Sequence, residues 1–306
     1  MIVEFINEIK GQVSILKSYY EDLKRSEYFG ILNQKENESY FFGLGDSYAA
    51  SIAVSELTGC VYGEPYEWQY KKLPFGKNFI FISVSGKTNA NINLAKKAKE
   101  LKNRIIAITG NRDSELAKIA DLVIDMNYKE KIILPGTLSF TKSLVASFSL
   151  FGIDLDFEII KREYEKSKEK RFGYFGDGSL FILASPLLYP IAYYWKAKTA
   201  ETTGIKAFAE RVELFSHVDL FFLNRNDGLI ILSRPEDKKA QLLFDSLSEK
   251  INFCIKIDFS QRLQESYIIG SFYAQLFSYN LMRTLGKYDF NFSKSEFLEF
   301  SNRLIY

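Results

Sequence analysis

The chain has 306 residues, 47% of them hydrophobic and 25% charged, with 40 basic against 38 acidic side chains. This balance excludes a disordered chain, which needs fewer apolar residues and a larger charge imbalance. A formal charge of +2 gives no electrostatic reason to expect nucleic acid or a membrane surface as partner. Apolar runs such as 79–82 and 180–184 fall far short of the ~20 residues of a membrane span, and the first residues lack the basic leader of a signal peptide, so a cytoplasmic protein is expected. Two cysteines, Cys60 and Cys254, form neither a metal-ligand spacing nor a disulfide framework. A single histidine, His217, excludes multi-histidine metal sites and gives imidazole chemistry one address. No metal and no organic cofactor is expected.

In chain order, an amphipathic helix is predicted over 5–23. Strand-length apolar runs at 40–44, 79–84, 104–109 and 122–125 then alternate with helical stretches at 47–57, 88–99, 114–119 and 141–151. A charged stretch without Gly or Pro, 156–170, reads as a connecting helix. After Gly173, Gly176 and Gly178 the alternation restarts, with strands at 180–184, 229–232 and 252–257, a helix from 187, another at 237–247 and a long one at 264–285. Strand followed by helix, repeated, implies parallel pairing with right-handed crossovers and an α/β layered sandwich. At ~100 to 200 residues per domain the length suggests two. The expected division is an N-terminal helix over 1–24, a first domain over 25–155, the connecting helix over 156–172 and a second domain over 173–306.

The halves read as diverged copies of one unit. Segments 79–88 and 229–237 both run from a buried strand through a serine into a helix. The first ends in hydroxyls, a glycine and a lysine. The second puts Pro235, Glu236 and Asp237 at the helix start, so only the first could welcome an anion.

Helix N-termini present unpaired N–H groups and a partial positive charge. At Ser83-Val84-Ser85-Gly86-Lys87-Thr88 this is enriched by three hydroxyls and by a glycine that lets backbone approach a ligand. A second turn, Gly43-Leu44-Gly45-Asp46-Ser47, adds another hydroxyl and two glycines. Neighbouring parallel strands would bring both turns to one carboxyl edge, where such folds bind ligands. Neither the P-loop spacing nor the third glycine of a dinucleotide fingerprint is present. The expected anion is a phosphate monoester.

These two turns, with segment 106–124, resemble the SIS (sugar isomerase) domain. Segments 187–201 and 207–217 are similar to the distal SIS copy in the isomerase part of glucosamine-fructose-6-phosphate aminotransferase, and more closely to archaeal glucosamine-6-phosphate deaminases of that descent. The resemblance covers about residues 25 to 290. It implies two tandem SIS subdomains, each a parallel five-stranded sheet in a three-layer αβα sandwich of flavodoxin-like topology. It implies that Ser47, Ser83, Ser85 and Thr88 hold the phosphate of a sugar 6-phosphate, and that Gly45 and Val84 in the same turns contact the sugar. Val84 stands where many relatives have glutamine. The loop carrying Thr137, Ser139 and Lys142 matches the one that contacts sugar hydroxyls. Glu201 matches the carboxylate that moves a proton between C1 and C2, Lys198 the lysine one turn before it, and His217 the imidazole linked with ring opening. In the family that histidine reaches the neighbouring subunit's site, which implies a homodimer with composite sites.

The chemistry gives its own reasons for these residue types. Aldose–ketose interconversion needs one base to take a proton from one carbon and return it to the next, which suits a carboxylate. Ring opening suits histidine, and developing enediolate charge suits a lysine such as Lys198, which shares a helix face with Glu201 at i and i+3.

Three departures from the family are visible. No glutaminase segment with a cysteine after the initiator precedes the first domain; Ile2 stands there, so glutamine-driven synthesis is not expected. The tail has no clear match to the family's closing lysine; Lys294 and Arg303 are the candidates to replace it, Arg303 as a contact to the sugar. The 132–142 loop lacks the arginine of phosphoglucose/phosphomannose isomerases. The leading expectation is therefore a glucosamine-6-phosphate deaminase giving fructose 6-phosphate and ammonia. The alternatives are a hexose 6-phosphate aldose–ketose isomerase and a non-catalytic sugar-phosphate sensor, which would need the cradle but neither Glu201 nor His217.

Overall fold

The computed structural model describes residues 1–32, 38–128, 134–170, 172 and 178–306. Gly173 and Gly176, the expected boundary at 173 and the start of the 132–142 loop lie outside the described residues. The chain divides into two compact units, Gly11–Leu155 with Glu296–Tyr306, and Met1–Lys10 with Asp156–Ser295.

The first unit takes most of helix α1 (Ile2–Arg25) and then follows a strand–helix order. It runs β1 (Ser39–Phe42), α2 (Asp46–Thr58), β2 (Val61–Gly63), α3 (Pro65–Trp68), β3 (Asn78–Ile82), α4 (Asn89–Glu100), β4 (Arg104–Thr109), α5 (Glu115–Ile119), β5 (Leu122–Asp125) and α6 (Leu138–Leu150). The five strands pair in parallel in the order β2-β1-β3-β4-β5. Central strand β3 is apolar on both faces, as a strand covered by helices on both sides must be. Phe42, Phe79 and Phe81 stack on one face beneath Ile92, Leu94 and Leu116 of α4 and α5, while α2 and α6 pack together on the other.

The second unit holds α7 (Phe157–Glu169), β6 (Leu180–Ala184), α8 (Tyr189–Thr203), β7 (Ala207–Arg211), α9 (Val212–His217), β8 (Gly228–Ser233), α10 (Lys238–Leu247), β9 (Phe253–Asp258) and α11 (Leu263–Thr284). Helix α12 (Leu298–Ile305) belongs to the first unit. The strands pair in parallel in the order β7-β6-β8-β9. Phe181 and Leu183 of β6 pack with Val212 and Phe215 of α9 and Ala240 of α10. Because side chains alternate along a strand, α8 and α11, which pack closely on each other, cover the opposite face.

The second sheet corrects the five strands expected of each subdomain: it has four among the described residues. In the first unit β4 is followed by a short helix and a further strand before the covering helix α6. In the second, only residues 259–262 separate β9 from the 22-residue α11, so no strand equivalent to β5 follows β9. The edge strand β9 instead carries Lys256 and Asp258, bonded at 2.6 Å, and charge on an edge discourages pairing with another sheet. Among the described residues no helix is long and apolar enough to cross a membrane.

Two carboxylates tie stability to pH. Burial pushes Asp121 up, but the Ile105 N–H at 2.8 Å and the Lys99 ammonium outweigh it and hold Asp121 below the ordinary carboxylate value. Burial pushes Asp258 up as well, and Lys256 and Ser233 more than reverse it. A carboxyl depressed on folding contributes stability above its unfolded pKa, ~3.9, and loses it as pH falls through the folded value. Thermal melts should therefore hold level from neutral pH to about 5 and fall below about 4, with Asp121→Asn and Asp258→Asn each flattening that acid limb. An acid limb in both variants identical to the parent's would refute the assignment.

Candidate functional site

In the first sheet the strand order reverses between β1 and β3, which is where open parallel sheets bind ligands beyond the carboxyl ends of their strands. The turns after these strands are the two hydroxyl-bearing segments. Gly43 is required sterically: a Cβ there would lie 2.4 Å from the carbonyl group of Ser47. Gly86 has φ +65°, and its Cβ would lie 2.1 Å from Ser114 Oγ. The Ser83–Thr88 turn is pinned to the end of β4 by Gly110 N–H and Thr109 Oγ1, which donate to Val84 O, and to α5 by Gly86 O, which accepts from Leu116 N–H.

Ser47, Ser83 and Thr88 are nearly buried and Ser85 is half-buried. Thr88 stands at the N-cap of α4 yet makes no side-chain capping bond. Ser114, Asp156 and Asp237, in contrast, all cap their helices. Thr88 is thus not acting as a cap, and the first turn of α4 keeps donors for an anion. Asn91, in that same first turn, is 1% exposed with an Oδ1 that has no hydrogen-bond partner among the described residues. Sequence reasoning missed it, because an asparagine three places after the threonine reads as a solvated helix residue.

The segment before α6 meets this edge. A Cβ on Gly136 would lie 2.2 Å from Asp46 Oδ2 and 3.3 Å from Ser139 Oγ, so Thr137 and Ser139, both buried, lie beside the Gly43–Ser47 turn that carries the exposed Gly45. Lys142 departs from the expected sugar contact. Its ammonium is buried, donates to Met126 O and Asn127 O at 2.9 Å each, and lies 4.9 Å from the centre of the Tyr19 ring. It fastens α6 to the end of β5, a structural task.

The corresponding reversal point of the second sheet, between β6 and β8, is filled by the chain itself. Ser185 Oγ donates to Asp237 Oδ2 at 2.5 Å, and Asp237 Oδ1 accepts from the N–H groups of Lys239 and Ala240. A carboxylate here takes the donors that an anion would use, as Pro235, Glu236 and Asp237 led us to expect.

The second unit contributes Lys198 and Glu201 on α8, bonded at 2.5 Å from Nζ to Oε2. Lys198 is fully buried and the Glu201 side chain is 35% exposed. This is not the solvated surface pair that Lys-x-x-Glu usually makes, which is worth little. A buried ammonium is costly unless it is paired, so one end of the pair is anchored while the carboxylate stays accessible. Glu201 lies in the last turn of α8, and that end is tied down by Asn291 N–H to Thr202 O, 3.2 Å, and by Lys287 Nζ to Thr203 O. A cavity of about 530 Å³ adjoins it, lined by Thr203, Gly204, Lys206, Asn224, Asp227 and Lys287.

His217 closes α9, is 68% exposed, and its Nε2 lies 3.0 Å from Glu213 Oε1. Since α8 and α9 cover opposite faces of the second sheet, Glu201 and His217 are separated by that sheet within one chain. Lys294 pairs with Asp289 at 2.9 Å, and Arg303 is exposed on α12; these two fall in different units. Burial pushes both thiols, Cys60 and Cys254, to about 11, so neither is a nucleophile at neutral pH.

Comparison with known proteins shows what the chain is similar to. Residues 76–153 match the SIS domain family, and this stretch contains the Ser83–Thr88 turn. Over 179 residues, 52% of this chain and 96% of the relative, the sequence is 28% identical to 3-hexulose-6-phosphate isomerase of Methanocaldococcus jannaschii. Two other curated proteins match over short stretches, the chain spanning 39% of one and 18% of the other. Among solved structures, glucosamine-6-phosphate deaminase of Thermotoga maritima superposes with a TM-score of 0.74 at 16% identity, over 92% of this chain and 95% of that one. The C-terminal domain of glucosamine-fructose-6-phosphate aminotransferase from Francisella tularensis gives 0.71 at 18% identity, over 94% and 97%. Residues 76–153 thus match the SIS domain, and the chain has the fold of these two structures.

Proposed function

We propose that the protein is a cytoplasmic phosphosugar enzyme that interconverts C1 and C2 oxidation levels, and specifically a glucosamine-6-phosphate deaminase. The observation that carries this reading is the Lys198–Glu201 pair, an accessible carboxylate held by a fully buried ammonium. Ser47, Ser83, Ser85 and Thr88 bind the phosphate, with the uncapped first turn of α4 supplying N–H donors. Glu201 removes the C2 proton from the open-chain amino sugar and returns it to C1 through an enolamine. Water then hydrolyses the resulting imine at C2, releasing ammonia and fructose 6-phosphate. Lys198 stabilises the carboxylate and the developing negative charge.

Ring opening falls to His217 of a second copy. The separation of Glu201 from His217 by a sheet supports this division. So does the apolar surface around the histidine, where Leu214, Val218, Phe221 and Phe222 are all exposed, Phe221 at 82%; contiguous apolar surface of this kind marks interaction sites. The homodimer follows as part of the proposal.

A second reading, plain aldose–ketose isomerisation of a sugar 6-phosphate, is favoured by the likeness to the M. jannaschii isomerase along nearly its whole length. A coupled assay of ammonia release from glucosamine 6-phosphate, run beside isomerisation of glucose 6-phosphate, mannose 6-phosphate and a 3-hexulose 6-phosphate, separates the two. Ammonia release is expected; brisk isomerisation without ammonia selects the second reading, and inactivity on all of them with tight phosphosugar binding selects a sensor. In the same samples the one histidine gives one set of imidazole NMR signals. These should shift when phosphosugar is added to the dimer.

A further inference from the structure

The α8–α11 interface holds polar groups that the proton-transfer scheme does not use. Tyr194, one helical turn before Lys198, is fully buried, and its ring centre lies 5.3 Å from Lys198 Nζ. Its phenol oxygen accepts a hydrogen bond from Gln275 Nε2 of α11 at 3.0 Å, and Gln275 is fully buried as well. The two helices approach closely, with Ile191 packed on Gly270.

A phenylalanine would fill this space without a polar atom, whereas a buried phenol oxygen needs a partner. Gln275 meets that need and in doing so fixes the tilt of the ring. The ring face is the side of an aromatic that attracts a cation, and 5.3 Å is within the range over which it acts. The Lys198 ammonium is therefore held between a carboxylate and an aromatic face, and the ring that supplies that face is itself pinned from α11.

We propose that Tyr194 and Gln275 are positioning residues that fix the Lys198 ammonium, and through it the Glu201 carboxylate, in the geometry that proton transfer requires. The inference rests on the reading of Glu201 as the base. Neither residue is accessible to substrate, so they act on turnover and not on phosphosugar binding.

The test uses the full chain and four variants, Tyr194→Phe, Tyr194→Leu, Gln275→Leu and Glu201→Gln, with kcat and KM measured on whichever sugar phosphate the parent turns over. Tyr194→Leu removes the ring face and should lower kcat about tenfold or more while KM stays within about twofold. Tyr194→Phe keeps the face and should restore kcat to within about threefold of the parent. Gln275→Leu, an apolar replacement of similar size, should fall between them. A merely structural role would lower the melting temperature without this split of kcat from KM and without rescue by phenylalanine. Parent-like kcat in folded Tyr194→Leu overturns the proposal. Should that variant not fold, parent-like kcat in Gln275→Leu does so. If Glu201→Gln retains full turnover, the catalytic reading itself has failed; if it is inactive while the Tyr194 and Gln275 variants match the parent, only the positioning role has.

Discussion

Glu201→Gln is expected to lower kcat on the protein's sugar phosphate by ~10²- to 10⁴-fold, the range that a positioned general base contributes, while leaving phosphosugar affinity within about threefold. The amide keeps an oxygen that can accept from Lys198 Nζ, now 2.5 Å from Glu201 Oε2, so the hydrogen bond survives and only the basic charge is lost. The buried ammonium then lacks its counter-charge, and such a loss is destabilising, so a fall in melting temperature should accompany the fall in turnover. Affinity is the discriminating measurement. The proposed phosphate cradle is built from the turns after β1 and β3 and the start of α4 in the other unit, and a side-chain change on α8 does not alter its hydroxyls. Loss of turnover with intact binding of a non-turned-over sugar phosphate, read by calorimetry, fits the assignment. Full turnover on every sugar phosphate tested would remove Glu201 from the reaction.

The features legible in the sequence share a physical character. Strands β3, β4, β6 and β8 are apolar on both faces because helices cover both, and such runs stand out from their neighbours. Strands β2 and β7 were not distinguished. The first is three residues long. The second, Ala207–Arg211, is an edge strand with two charged residues and no fully buried side chain, so its segment reads as part of a motif and not as a strand. The missing fifth strand of the second sheet depends on how α11 follows β9, a matter of connection and not of local pattern. Among candidate site residues, residue type indicated chemistry, but only geometry separates roles. Lys142 and Lys198 are both buried lysines; one is bonded to two carbonyl oxygens at a strand end and the other to a carboxylate. No spacing rule distinguishes these. Asn91 escaped because burial, and not identity, makes it notable.

Gly86→Ala should weaken phosphosugar binding by ~10²-fold. Two costs coincide there. The backbone sits at φ +65°, which costs an L-residue about 1–2 kcal/mol, and the new Cβ would lie 2.1 Å from Ser114 Oγ and 2.5 Å from Ser114 Cβ. Ser114 cannot yield freely, because its hydroxyl accepts from Ala117 N–H at 3.2 Å and caps α5. Either α5 loses its cap, or the Ser83–Thr88 turn shifts and carries Ser83, Ser85 and Thr88 away from a common phosphate. Residues 84–88 form no helix or strand, so a shift there breaks no regular element while it displaces the hydroxyls, and affinity should fall more than stability. Adding Ser114→Gly to Gly86→Ala removes the collision, gives up the α5 cap, and leaves the backbone cost as the only strain within the turn. The double variant should recover about half of the lost binding free energy if the collision and the φ strain contribute comparably. The measurements are calorimetric titration with the sugar phosphate and with inorganic phosphate, beside thermal melts. Binding of both ligands within about twofold of the parent in a folded Gly86→Ala protein would place the phosphate somewhere other than this turn.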